Sequence, residues 1–539
     1  MRFFHPAARR MPPPDNGAPI CVRFHVLLDE TAEKCLNRGS LKLIPLRRRA
    51  ASYERLSPQD ASFLAFEKPN IHMNVGAVTI LESRSFRTAD GRIDVARFRG
   101  YIAARIARVE RCHQKLATTT LLRRPMWIDD PDFRMERHVQ TVDGPAVEDE
   151  DAMRELSSDI FSRQLDRTRP LWELTIVQGQ PNAETFAVTC KVHHAMLDGM
   201  AGMDFIGSLL TGEPQASIDE VAPRRAAPAP ARWRLAIDDA ALIASAPWRL
   251  GAGLVRLATR PGTRTSFRER TGALVHLFAS GLRGTTKTPL SAAPNARRFH
   301  RWATTAKADE RIVRARLGSS RDDVTIAVAS GATRAALLRK HVRTKGIRIR
   351  AMAPMSLRSR AERGTLGNRV SMLIVDIPVD EASPVRRLER VTAAVARLKR
   401  IRQGLGVDVL AAIDEFTGTL AQRFAMWLAT LRHTYNIVVT NIPGPPTHLY
   451  ALESKLLALY PLAPVFGGQQ INIAAISYLD TVFWGVQYAG DDPDELRLFV
   501  DDLMASAEEL LRAAKAAPPR IRVVAPENVS TVGTIAAGS

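Results

Sequence analysis

Cysteine is scarce in this chain of 539 residues, with only Cys21, Cys35, Cys112 and Cys190. Their spacing fits neither a metal module nor a redox pair, so a disulfide scaffold is excluded and a reducing compartment is expected. Acidic residues are outnumbered by basic ones, 56 to 76, leaving a formal charge of +20. Long apolar runs are missing too. The longest uncharged stretch, Leu456 to Leu479, is interrupted by Pro461, Pro464, Gly467, Gly468, Gln469, Gln470 and Asn472. As a membrane helix it would leave several polar groups unsatisfied. Met1 to Pro14 has no apolar core of signal-peptide length. What remains is 45% hydrophobic and 24% charged, the composition of a folded soluble protein whose membrane contact, if any, is peripheral.

The excess charge is unevenly placed. Residues 1–50 hold net +6 and residues 221–300 hold net +11, so little is left for the rest. A diffuse nucleic-acid surface is not indicated, because no finger, arginine-glycine repeat or aromatic RNA-binding signature accompanies it; no nucleic-acid partner is expected. An anionic lipid surface suits a localised basic segment at least as well. In that segment a helix from Trp248 to Arg260 would place Leu250, Leu254 and Leu257 on one face and Arg249, Arg256 and Arg260 on another, with Trp233 and Trp248 suited to an interface. A helical pair packed on the rest of the protein, with a solvated basic face, is the competing reading.

Patterning elsewhere alternates strand and helix. Strands are predicted at Met73 to Leu81, Thr185 to Val192, Ile347 to Met352, Ser371 to Ile377, Ile437 to Asn441, Ile471 to Ser477 and Val482 to Tyr488. Helical spacing runs from Ile93 to Ala117, through Phe98, Ile102, Ile106 and Val109, and helices are predicted at Val324 to Lys340, Pro384 to Gln403 and Asp494 to Lys515. This is an α/β chain of two mixed halves, 53–212 and 299–517. A basic Pro/Ala/Arg-rich linker with amphipathic helices, 213–298, joins them, and a poorly ordered basic extension, 1–52, and a flexible tail, 518–539, flank them.

The chemistry concentrates after the strand that ends at Val192. Its residues Phe186, Val188, Cys190 and Val192 share one face, and His193-His194-Ala195-Met196-Leu197-Asp198-Gly199 follows at once. Adjacent side chains at a strand end point to opposite sides, so only one imidazole can face a given cleft. A neutral imidazole can take a proton from a hydroxyl, which makes one of the pair a candidate general base. Two divergent histidines are poor metal ligands, and no third ligand cluster accompanies them, so no metal is expected. Asp198 could fix the turn or cap the helix starting at Met200, and Gly199 permits close backbone approach. A purely structural histidine pair is also compatible with this spacing alone.

The motif resembles the HHxxxDG signature of the CoA-dependent acyltransferase superfamily. Further segments make the chain similar to the bacterial wax ester synthase/diacylglycerol acyltransferase family. They are Leu56-Ser57-Pro58-Gln59-Asp60, Arg169-Pro170-Leu171-Trp172, Asp322-Asp323-Val324-Thr325-Ile326-Ala327, Gly367-Asn368-Arg369-Val370-Ser371, Thr440-Asn441-Ile442-Pro443-Gly444-Pro445 and Pro464-Val465-Phe466-Gly467-Gly468-Gln469. The resemblance covers roughly Leu56 to Lys515. One departure stands out: the family usually has Asn-Asp where this chain has Asp322-Asp323, and an ionised Asp322 cannot donate a hydrogen bond.

The resemblance implies two chloramphenicol-acetyltransferase-like subdomains with mixed sheets and flanking helices around a central tunnel. It implies transfer of a long-chain acyl group from acyl-CoA, as co-substrate and with no bound cofactor, to diacylglycerol or a long-chain alcohol. His194 would be the general base, His193 its support, Asp198 an orienting residue held by an arginine for which Arg358 and Arg369 are candidates, and Gly199 a point of backbone approach. Asn441, Trp172 and Asp323 are the candidate substrate-binding residues. Asn441 could equally be a turn residue, and Trp172 is expected to pack beneath the cleft rather than to touch substrate. A cytoplasmic protein, peripheral at the inner face of the plasma membrane or on lipid bodies, is the expected setting. A condensation-type acyltransferase using carrier-protein donors, and a non-catalytic lipid-binding or lipid-droplet protein of the same fold, are the alternatives.

Overall fold

Apolar alternation in Thr185–His193 (β7) builds the strand around which the first half is organised. Phe186, Val188, Cys190 and Val192 enter one apolar cluster, and Ala187 enters another on the opposite face. Both faces are therefore buried, which requires cover on each side. The computed structural model describes residues 53–196, 202–220, 224–259, 284–356, 370–405, 434–465 and 468–518. The basic extension and the chain beyond residue 518 lie outside them.

The elements run β1 Glu54–Arg55, α1 Pro58–Phe66, β2 Asn74–Glu82, α2 Val95–Ile106, β3 Gln114–Thr118, β4 Pro125–Asp129, β5 Val139–Asp143, α3 Glu150–Ser162, β6 Trp172–Gln178, β7, α4 Gly202–Leu209 and α5 Arg232–Thr259. The second half follows with β8 Phe299–Ala306, α6 Lys307–Leu317, α7 Arg321–Arg339, β9 Ile349–Ser356, β10 Val370–Ile377, α8 Pro384–Leu405, β11 Ile437–Pro443, β12 Tyr450–Ala451, β13 Ser454–Leu462, β14 Ile471–Tyr478, β15 Thr481–Tyr488 and α9 Pro493–Ala516.

Two mixed six-stranded sheets result. The first has the order β12-β13-β2-β7-β6-β5, with β5 parallel to β6 and the other pairs antiparallel. The second has the order β10-β9-β11-β14-β15-β8, with β11 parallel to both β9 and β14. A small sheet, β1-β4-β3, stands apart. The face of β7 that carries Val188 and Cys190 packs against Phe98, Tyr101 and Ile102 of α2 and Phe205, Ile206 and Leu209 from the α4 segment. Helices α6 to α9 supply the core over one face of the second sheet. On its other face, Trp302 of β8 joins Val78, Ile80, Ile160 and Phe161 of the first half in one cluster.

Strand β13 departs from the division into halves. It follows β11 in the second half yet pairs antiparallel with β2, from Leu456↔Leu81 to Leu462↔Gly76. It also passes so close to β15 that a Cβ on Gly485 would sit 1.8 Å from the Pro461 carbonyl oxygen. Only glycine fits at that crossing of the two sheets. The long uncharged run thus becomes β13 and β14, and among the described residues no helix is long and apolar enough to cross a membrane.

The predicted helix from Ile93 to Ala117 is too long. Helix α2 ends at Ile106, a 3₁₀ turn spans Glu110–His113, and Gln114–Thr118 pairs with β4 instead. Helical spacing persists through Val109, but pairing with Pro125–Asp129 satisfies the backbone beyond it and overrides the local pattern. In the basic segment, the helix starts sixteen residues before Trp248, at Arg232. The side chains of Arg249, Leu250, Leu254, Arg256 and Leu257, and all of Arg260, lie outside the described set.

Candidate active site

Strand β7 delivers the histidine pair. The His193 N–H donates to the Leu171 carbonyl at 2.9 Å and the His194 N–H to the Met73 carbonyl at 2.7 Å, after which the chain tightens into a 3₁₀ turn, His194–Met196. The Arg-Pro-Leu-Trp segment and the start of β2 therefore clamp the strand end from both sides.

Helix α1 lies against this turn, and it starts where the Leu-Ser-Pro-Gln-Asp segment predicts. The Ser57 hydroxyl accepts the Asp60 N–H at 3.1 Å, and Pro58 occupies the first helical turn, where its missing N–H costs nothing. Two residues at the other end of α1, four apart, meet the two histidines. Phe63 stacks on the His194 ring, centroids 4.0 Å apart and planes at 26°. Glu67, the C-cap residue, faces His193.

The two imidazoles have different environments. His194 is partly exposed as a residue, with its ring stacked on Phe63, which itself clusters with Met73 and Ala195. Desolvation lowers its pKa to about 4, so the ring is neutral near pH 7 and can accept a proton. His193 is 1% exposed. Its Nδ1 accepts the Ala195 N–H at 3.1 Å, which leaves any proton of the neutral ring on Nε2. Nε2 lies 3.5 Å from Glu67 Oε2, a contact of opposite partial charges and not a formed hydrogen bond.

Glu67 is held from several directions. Arg167 donates to Oε2 through Nε at 2.9 Å and Nη2 at 2.6 Å, and also bonds the Leu64 carbonyl, while the Met73 N–H reaches Oε1 at 3.4 Å. Burial would raise the Glu67 pKa, but His193 and Arg167 outweigh it and bring the carboxyl down to about 2. Nothing in the local sequence singles out Glu67. Its role comes from a contact with a residue 126 positions later.

Other candidates divide. Trp172 is buried in the core, its indole N–H donating to the Cys112 carbonyl at 2.9 Å and its ring stacked on His138 at 4.7 Å. It packs, as expected, and has no free polar edge. Asp323 forms a capping box with Ser320 at the start of α7, with one carboxylate oxygen buried and unpartnered among the described residues. Asn441 donates through Nδ2 to Asp322 Oδ1 at 2.9 Å. The departure from Asn to Asp at 322 is thereby accommodated: the position acts as an acceptor, and the amide on β11 supplies the donor. Asp198, Gly199, Arg358 and Arg369 lie outside the described residues.

Asn74 was not anticipated. It is the residue directly opposite His193 in the β2–β7 pair, 3% exposed, with neither amide atom hydrogen-bonded among the described residues. A buried amide without partners is costly unless something polar reaches it.

The wax ester synthase/diacylglycerol acyltransferase catalytic domain model matches residues 56–326, and the C-terminal domain model of the same family matches residues 366–510. The chain belongs to the wax ester synthase/diacylglycerol acyltransferase family. A provisionally named diacylglycerol O-acyltransferase of Mycobacterium tuberculosis is 28% identical over 474 residues, covering 87% of this chain and 92% of that protein. The wax ester synthase/diacylglycerol acyltransferase from Marinobacter aquaeolei VT8 superposes with a TM-score of 0.59 at 19% identity, covering 86% of this chain and all of the other. The first condensation domain of the calcium-dependent antibiotic synthetase superposes with a TM-score of 0.52 at 15% identity, covering 87% and 99%. These two likenesses concern the fold, which is the two-halved, mixed α/β acyltransferase architecture of the family. The activity class that goes with family membership is acyl transfer.

Proposed function

We propose that this family member moves a long-chain acyl group from acyl-CoA to the hydroxyl of diacylglycerol, of a long-chain alcohol, or of both. A ring nitrogen of His194 takes the hydroxyl proton as the acceptor oxygen attacks the thioester carbonyl carbon. The tetrahedral intermediate collapses, the C–S bond breaks, and CoA leaves with the proton returned from His194. Atoms and charge balance without an acyl-enzyme and without a bound cofactor. His193, tied to the Ala195 N–H and facing Glu67, supports the turn. Asp198 would orient the loop and Gly199 would let the protein backbone pass close to the substrate.

The observation that carries this reading is the environment of His194: a neutral, desolvated imidazole on a partly exposed residue at a strand end, braced by Phe63. Peripheral contact with a cytoplasmic lipid surface belongs to the same proposal, since both acceptor classes are lipids. The test is release of free thiol from long-chain acyl-CoA with diacylglycerol or a fatty alcohol as acceptor. His194→Ala should lose at least about a hundredfold in kcat. Turnover that survives this change would remove His194 as the base.

A further inference from the structure

Helix α5 presents an apolar stripe to solvent. At about 100° per residue, Trp233, Ile237, Ala240, Ala241, Ala244 and Trp248 fall within roughly a third of the helix circumference. All six are exposed, Trp233 at 68%, Ile237 at 59% and Trp248 at 81%. The opposite side is the one that packs: Leu235 is 4% exposed and Asp239 fully buried. Asp239 holds the helix in this orientation by accepting the N–H groups of Leu121 and Leu122, both at 3.0 Å, and by pairing with Arg55 at 3.2 Å. A soluble helix of this kind would ordinarily turn its tryptophans inward. Here a buried carboxylate fixes them outward.

The fully exposed charges beside the stripe are basic, and the acid beside them, Asp238, is half-buried. Arg123, Arg232 and Arg234 are exposed, and none forms an ion pair with a described residue; Leu121 and Leu122 at the adjoining hairpin tip add apolar surface. The nearby acids each have a partner, although Asp238 keeps its charge. Asp129 binds Arg224 and the Ala227 N–H, Asp238 accepts the Tyr53 hydroxyl at 2.5 Å, and Asp239 is buried as described. A second copy docked on this face would bring like charges together, and a nucleic acid would leave the apolar stripe unsatisfied. A surface that is anionic outside and apolar beneath matches both features.

We propose that the outward face of α5, with the neighbouring Leu121–Arg123 tip, docks this protein on an anionic lipid surface, with Trp233, Ile237 and Trp248 entering the interface and the three arginines meeting headgroups. The purpose of such docking rests on the acyltransferase reading, but its evidence does not.

The experiment uses the full chain, without acyl-CoA, and phosphatidylcholine vesicles with or without phosphatidylglycerol. The protein should sediment with the phosphatidylglycerol vesicles only, and brominated acyl chains should quench its tryptophan emission. R123E/R232E/R234E should weaken that binding at least about tenfold, and W233S/I237S/W248S should abolish the quenching. Both variants should keep wild-type thiol release with a short-chain acyl-CoA and a soluble alcohol, which separates failure of docking from failure of the enzyme. Absence of sedimentation, absence of quenching in the wild type, or binding unaffected by either variant overturns the proposal. So does concentration-dependent dimerisation through the tryptophans without vesicle binding. The quenching measurement on the wild type stands even where a variant fails to fold.

Discussion

Glu67 Oε2 and His193 Nε2 stand 3.5 Å apart at the end of α1, with the carboxylate already bonded twice by Arg167. The carboxylate lies against the imidazole that, in the proposed mechanism, supports the turn carrying His194. Glu67→Gln keeps the shape and removes the charge. The expected result is a fall in kcat of about tenfold or more with KM little changed, and a loss of about 1–3 kcal/mol in stability. Thiol release and urea unfolding measure the two. Unchanged kcat would deny Glu67 a positioning role.

Glu67 also predicts an acid limb of stability. Its folded pKa, about 2, lies below the ordinary value of 4.5. Its contribution is therefore complete above about pH 4.5 and disappears as pH falls toward 2. The urea midpoint of the wild type should drop across that window more steeply than that of Glu67→Gln.

His194 has the complementary signature. Its folded pKa is about 4, against 6.5 for a free imidazole. Between pH 6.5 and 4 the unfolded chain holds a proton that folded His194 does not, so stability falls as pH drops through that range. The same shift should keep kcat/KM level from pH 8 to about pH 6, with the acid limb nearer 4 than 6.5. Phe63→Ala, which opens the ring to water, should move that limb up toward 6.5 and cost about 3 kcal/mol of stability. A wild-type limb at 6.5 that Phe63→Ala leaves in place would contradict the role given to the stacked ring.

Asn441 and Asp322 form a pair that a double-mutant cycle can isolate. Asn441→Asp places two carboxylates together and should destabilise by about 1–2 kcal/mol, while Asp322→Asn should be nearly neutral because one amide can still bond the other. The exchanged pair, N441D/D322N, should recover most of the loss in thermal unfolding. Failure of the exchange to recover it would mean that the bond contributes nothing of its own.

Gly485 bears on the junction of the sheets. Gly485→Ala meets backbone, not a flexible side-chain end, at 1.8 Å. It should cost at least about 2 kcal/mol and expose β13 to protease. Wild-type stability would show that the crossing relaxes freely.

Much of this was legible in the residues because the signals were local. Alternation in β7 assigned Phe186, Val188, Cys190 and Val192 to one face, and the strand end placed the histidines where their neighbours diverge. The long helices α7, α8 and α9 were readable to within a few residues for the same reason. The overlong helix from Ile93 shows where local pattern fails, since the strand at Gln114–Thr118 exists through its partner. Glu67 and Asn74 were invisible for a related cause: each gains its significance from His193, more than a hundred positions away. Helix α5 carried its tryptophans in plain view, but which side it would bury depended on Asp239 meeting the Leu121–Leu122 backbone.

The strand that crosses between the sheets makes the protein indivisible. A fragment cut anywhere ahead of Ser454 would present β2, with Ala77, Val78, Leu81 and their unpaired backbone, as a bare apolar border open to any passing strand. The histidines sit one strand further in, on β7. During synthesis the sheet that carries β7 therefore stays open at its β2 border until about the last sixth of the chain, from Ser454 on, emerges to close it.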